Sequence, residues 1–160
     1  TQMYITGVDI TKVKKSTEGP EFRLGTLARL SNGKAYKYVK YNDGVGNVAA
    51  VAGNVVYYYG VSGDAVTGGY ENNEVTMDLT DGYLGAGVLQ AVIADGGYGW
   101  IQIRGAATVT TSLTAGSDGQ ALTHVGTTDG TLDVSAAVTD AIVAFATDIS
   151  AKKIACMFPE

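Results

Sequence analysis

Catalysis and transition-metal binding draw on His, Cys and paired carboxylates, and this chain of 160 residues carries one histidine, His124, and one cysteine, Cys156. Nothing in the spacing brings a carboxylate or hydroxyl to His124, which is expected to be a structural or solvent-facing imidazole. A single thiol cannot close an internal disulfide, so Cys156 reads as a small buried side chain. The turns Gly116-Ser117-Asp118-Gly119 and Asp129-Gly130-Thr131-Leu132-Asp133 offer the oxygen ligands that calcium takes, but they lack EF-hand spacing or a tandem repeat and read as ordinary turns. Gly82, Gly85 and Gly87 align with part of a nucleotide-binding glycine loop, yet no phosphate lysine or strand–loop–helix pattern follows. Aromatic material is more telling: Tyr57, Tyr58 and Tyr59 are consecutive, and the single tryptophan is Trp100. Such rings supply large contact area at low entropic cost. The expectation is a protein that works by contact between surfaces, with no catalysis, no cofactor and no required metal.

The elements that must position these residues are strands and turns. Phe22, Leu24, Thr26, Ala28 and Leu30 alternate with polar or smaller residues at the period of a half-buried strand. Asn32-Gly33 then predicts a two-residue type I′ hairpin, which would set Arg29 opposite Tyr36 and Leu27 opposite Tyr38. The returning strand, 34–41, mixes Tyr with Lys on both faces and resembles an edge or an interface. Further strands are expected over 54–59, 74–79, 87–93 and 98–103, the last two forming a hairpin that carries Trp100. In the last third they are expected over 108–113, 121–125, 141–146 and 154–158. The runs 141–146 and 154–158 are apolar at successive positions, which predicts burial of both faces and places Phe145 and Phe158 at a core or subunit contact. One marginal helix is possible over 134–139, after Asp133. The fold class is all-β: a single-domain antiparallel β-sandwich or barrel of short strands with Gly/Asp/Asn-rich turns over 21–160, preceded by an extended basic N-terminal arm over 1–20.

Charge is divided along the chain. Residues 1–41 hold eight basic side chains, Lys12, Lys14, Lys15, Arg23, Arg29, Lys34, Lys37 and Lys40, against three acidic ones; the remainder holds three basic against thirteen acidic, within a net charge of −5. If the basic third forms one face, it can meet an acidic partner while the rest faces solvent. Overall acidity and the lack of a recognition helix argue against direct nucleic-acid binding. No run approaches a membrane span, and the start shows no apolar leader. Thr1 is small enough to follow an excised initiator Met.

The run Phe22-Arg23-Leu24-Gly25-Thr26, followed by Asn32-Gly33-Lys34-Ala35-Tyr36-Lys37-Tyr38-Val39, resembles the opening of head decoration, or cement, proteins of tailed bacteriophages. Gly97-Tyr98-Gly99-Trp100-Ile101-Gln102-Ile103-Arg104-Gly105 is similar to a later strand of that family. The likeness continues in Ala121-Leu122-Thr123-His124-Val125 and Thr128-Asp129-Gly130-Thr131-Leu132-Asp133. It spans most of 22–158. It implies a non-enzymatic virion protein, made in the host bacterial cytoplasm, that sits on the outer surface of an icosahedral head and clamps neighbouring major capsid subunits. It further implies a homo-oligomer, a trimer before a dimer. On that reading the eight cations above are the capsid-docking candidates, and Tyr57, Tyr58, Tyr59, Trp100, Phe145 and Phe158 are the candidates for the oligomer contact. The competing expectation is a carbohydrate- or receptor-binding β-domain of a tail fibre or lectin, with the aromatic rings splayed in an open groove. A glycosidase, which needs two converging carboxylates, comes third.

Overall fold

The computed structural model describes residues 3–60, 69–114 and 116–160. The sequence reads 60–73 as a Gly/Asp/Asn-rich connection, and segment 61–68 of it lies outside the described residues. Among the described residues eleven strands form one continuous sheet: β1 (Tyr4–Ile5), β2 (Leu27–Arg29), β3 (Ala35–Tyr41), β4 (Val55–Tyr59), β5 (Glu74–Thr76), β6 (Gly82–Leu89), β7 (Tyr98–Thr108), β8 (Ala121–Thr123), β9 (Asp133–Val134), β10 (Ala144–Asp148) and β11 (Lys153–Met157). Five of them close a mixed barrel in the order β3-β5-β4-β6-β7, with β7 returning to β3. The β3–β5 pair is parallel and the other four junctions are antiparallel. Beyond the barrel, β2 and β1 extend the sheet from β3, and β11, β10, β8 and β9 extend it from β7. A single helical turn, α1 (Gly69–Asn72), precedes β5. Among the described residues no helix is long and apolar enough to cross a membrane.

So small a barrel needs sharply bent strands, and bulges with glycines at the bends supply them. The β4–β6 register shifts twice, around Tyr57. Gly82, which the sequence offered as part of a nucleotide loop, lies on β6 against the Tyr57 side chain, where an added Cβ would sit 2.4 Å from the Tyr57 Cβ. The ring cannot retreat: Tyr57 Oη donates to the Thr131 carbonyl (2.6 Å) and accepts from the Thr131 N–H (3.2 Å). Gly82→Ala is therefore expected to cost about 1–3 kcal/mol by overpacking, read as a lower urea midpoint with an unchanged slope.

The first hairpin differs from expectation by one residue. Gly33 has φ +80°, whereas Asn32 is not in the left-handed region, so the loop cannot be a type I′ turn. Ser31, Asn32 and Gly33 form a three-residue loop: the Gly33 N–H donates to the Leu30 carbonyl and the Leu30 N–H to the Lys34 carbonyl. Leu27 faces Lys37, and Arg29 faces Ala35 rather than Tyr36. A slip of one residue exchanges the two faces of a strand. Lys37 thereby shares the core-facing side with Leu27, while Tyr36 and Tyr38 point outward with Ala28. Nor is β3 an edge: it pairs with β7 along one side and with β2 and then β5 along the other.

Outside the barrel wall, Ala28, Tyr36, Tyr38 and Trp100 form a second apolar cluster, covered by Ile5, Val8, Ile10, Phe22 and Leu24. The segment expected as an arm is seated on this wall and turns at Asp9–Lys12 and Lys15–Glu18. Tyr4 and Ile5 pair in parallel with Leu27 and Ala28, and Lys14 exchanges two backbone hydrogen bonds with Tyr98. At the other end, β10 and β11 alternate buried and exposed residues instead of burying both faces. The reason is positional: both strands lie outside the closed barrel, so one face covers it and the other meets solvent. Residues 134–139 form no helix; Val134 ends β9, and the Asp140 carboxylate accepts from the backbone of Ala136 and Ala137 in a turn.

Candidate functional site

Most of the aromatic contact candidates are closed within the protomer's own core. Tyr57, Tyr58 and Phe158 are fully buried in the main cluster. Trp100 is 2 % exposed and sits 5.0 Å from the Tyr38 ring and 5.4 Å from that of Phe22. None of these four can present a face to a second copy or to a sugar, which corrects their assignment to an oligomer contact. Burial pushes the Tyr57 and Tyr58 hydroxyls well above the usual phenol range. Tyr59 is half-buried at the end of β4.

Phe145 is the exception. It is 37 % exposed on the outer face of β10, and the register sets it directly between Ala155 of β11 and Ala121 of β8. Ala106 of β7 continues the row beside Ala155. Met157, 50 % exposed, lies two residues along from Ala155, with Arg104 opposite it. Lys153 occupies the other end of β11 and shares a shallow depression with Lys34, Ala106 and Thr147. The outer sheet thus carries a flat row of small apolar side chains around one phenylalanine, with basic groups at its margin.

The cations of the N-terminal third do not act as one free patch. Lys12 pairs with Glu21 at 2.9 Å, Lys14 with Glu18 at 3.8 Å and Lys40 with Glu74 at 3.4 Å. Arg29 stacks over the Tyr4 ring at 4.7 Å, in place of the contact with Tyr36 that the sequence suggested. Among the described residues Lys15, Arg23, Arg29 and Lys34 make no ion pair, and Lys15, Arg23 and Arg29 are exposed.

Lys37 departs from expectation altogether. It is 4 % exposed and is therefore not one of the surface cations. Its Nζ donates to Tyr58 Oη at 2.9 Å and lies 5.1 Å from the Tyr58 ring centre and 4.9 Å from that of Tyr70. Burial pulls the ammonium down to about 8, against a weaker opposing pull from Glu160. No sequence signal marked it as buried, because the face it occupies depends on the register of the hairpin.

The remaining reactive groups are held in structural roles. The Cys156 thiol is pushed up to about 12 by burial and stays protonated. Burial also lowers the His124 imidazole, which is neutral at pH 7, and its Nδ1 has no hydrogen-bond partner. Asp78 and Asp81, both buried, accept the backbone N–H groups of Gly46 (3.0 Å) and Val45 (2.6 Å) and so fasten one loop to the barrel. Among the described residues no three His, Cys, Asp or Glu side chains converge on a common point.

No family model, curated protein or solved structure matches the chain.

Proposed function

We propose that the chain is a structural virion protein that binds the outer surface of an icosahedral phage head, associates with copies of itself, and clamps neighbouring major capsid subunits. The observation that carries this reading is the outer row of Phe145, Met157, Ala155, Ala106 and Ala121, a flat apolar surface on a sheet whose other face is already packed. Flat, small-residue faces with one large anchor suit protein contact, where a few central residues carry most of the energy. Phe145 and its neighbours form the contact between copies. The exposed Lys15, Arg23 and Arg29, on the N-terminal side, orient the oligomer toward an acidic capsid surface. Oligomers bridge several subunits, so individually modest contacts gain from high effective concentration. The sugar-binding alternative loses its main support, since Tyr57, Tyr58 and Trp100 offer no open ring face.

The test is a variant carrying Phe145→Glu and Met157→Glu. Both side chains face solvent in the protomer, so its fold is expected to survive. Sedimentation should show a smaller species than wild type, and attachment to undecorated heads should weaken at least tenfold. An unchanged sedimentation coefficient together with unchanged attachment would remove this face from the account. A separate expectation concerns the cations: reversing Lys15, Arg23 and Arg29 to Glu should slow attachment most at low salt, with little change in dissociation.

A further inference from the structure

The ammonium of Lys37 is buried without a counter-ion: no carboxylate of the described residues lies within ion-pair distance of it. Tyr58 Oη takes one of its three N–H donors, and the Tyr58 and Tyr70 rings flank it. The carboxylate that comes nearest in effect, Glu160, is engaged elsewhere, accepting from Tyr4 Oη at 2.8 Å with Arg104 Nε at 3.9 Å. Lys37 nevertheless lines a cleft of about 770 Å³, whose apolar lining comes from Met3, Ile5 and Leu27 and whose polar lining includes Arg23, Glu71 and Asn73. A lone buried charge is costly unless it is paired and fully hydrogen-bonded. Here the free donors of that charge belong to a residue that an open cleft reaches.

We propose that this cleft is a receptor for a monocarboxylate carried on a short apolar group, its oxygens taking the spare N–H donors of Lys37 and its carbon chain lying against Met3, Ile5 and Leu27. The charge count selects the class. Glu71 and Glu160 in the lining offset Lys37 and Arg23 and leave no net positive charge to hold a phosphate dianion, whereas the one ammonium buried without a counter-ion, Lys37, matches a single negative charge. The carboxylate can come from an acidic side chain of a docked protein or from a free small molecule; the receptor chemistry is the same, and it stands whether or not the chain decorates a head. Binding requires the protonated amine. The charged and titratable groups facing it are Tyr58 from β4, Tyr70 and Glu71 from α1, Arg23 before β2, and Glu160 at the C-terminal end.

Butyrate titrated into the full chain, with chloride-matched controls, tests the proposal. At pH 7 the Lys37 Cε resonance in ¹³C-lysine-labelled protein should shift saturably and the melting temperature should rise. Affinity should fall roughly tenfold or more by pH 9.5 as the ammonium is lost. Lys37→Met should abolish both responses, and the wild-type resonance reports binding directly even if that variant folds poorly. If Lys37→Met also weakens attachment to undecorated heads and butyrate competes with wild type, the carboxylate is a side chain of the partner. If attachment is unaffected while butyrate binds, the ligand is a free monocarboxylate; both results support the receptor. No saturable shift at Lys37 at pH 7 would overturn it.

Discussion

Trp100→Ala is expected to destabilise the chain by about 3–5 kcal/mol and to lower its melting temperature by roughly 10–15 °C. Trp100 is the largest fully buried side chain and the centre of the cluster that joins β3 and β7 to the N-terminal segment. Its removal strips the contacts of Tyr38 and Phe22 at once and leaves a cavity that β-strands on a closed barrel cannot collapse to fill. The damage should also have a direction. Ile5, Val8 and Ile10 rest on this cluster, so limited proteolysis of the variant should cut first within residues 3–30, before the barrel is attacked. Phe145→Ala provides the contrast. Its ring is on the outer face, and the loss in the isolated protomer should stay within about 0.5 kcal/mol. A loss below about 1 kcal/mol for Trp100→Ala would mean that the ring does not hold the N-terminal segment to the barrel.

Lys37→Met should act in the opposite sense and stabilise the protein, by about 2–3 kcal/mol at pH 7, or roughly 5–10 °C. Methionine matches the volume and removes the charge, at the cost of the hydrogen bond to Tyr58 Oη. The pH dependence follows from the direction of the shift. The folded-state ammonium titrates near 8 and the unfolded one near 10.5. Between those values the unfolded chain holds more protons, so wild-type stability contributed by this group rises with pH and is depressed in full below about 8. The advantage of the variant should therefore be greatest below pH 8, shrink between 8 and 10.5, and vanish above. Thermal unfolding of both proteins across that range measures it. A variant less stable than wild type at pH 7 would show that the Tyr58 and Tyr70 rings more than offset the burial of charge.

The strand-rich class and the positions of most strands are legible in the residues, because alternation and Gly/Asn/Asp turns are local signals. Closure is not. β3 parallel to β5 and β3 against β7 join segments far apart in sequence, and no periodicity announces them. The Asn32-Gly33 dipeptide marks the turn but not its length, since the expected two-residue loop has three residues. One residue decides whether Lys37 is a surface cation or the floor of a cleft. The apolar runs near the C-terminus show a related ambiguity, since Ala144 and Ala146 are buried on one face of β10 while Phe145 stands on the other. Small residues such as Ala155 and Ala121 satisfy either environment, so composition could not tell a doubly covered strand from an outer one. Of the surface candidates, Phe145, Lys12, Lys15, Arg23 and Arg29 remain exposed, Lys12 in an ion pair with Glu21. Trp100, Tyr57, Tyr58 and Phe158 were attractive because they are large and apolar, and a barrel of this size needs that same material for its own core.

Electron microscopy of heads purified without this protein, imaged before and after its addition, addresses the central claim most directly. The account predicts added density on the outer shell at repeated lattice positions, shaped as a small oligomer of the five-stranded barrel. That oligomer should keep the Phe145 faces of neighbouring copies together and turn the side bearing Arg23 and Arg29 toward the capsid. Heads that remain bare at saturating protein, or density confined to the tail, would contradict it.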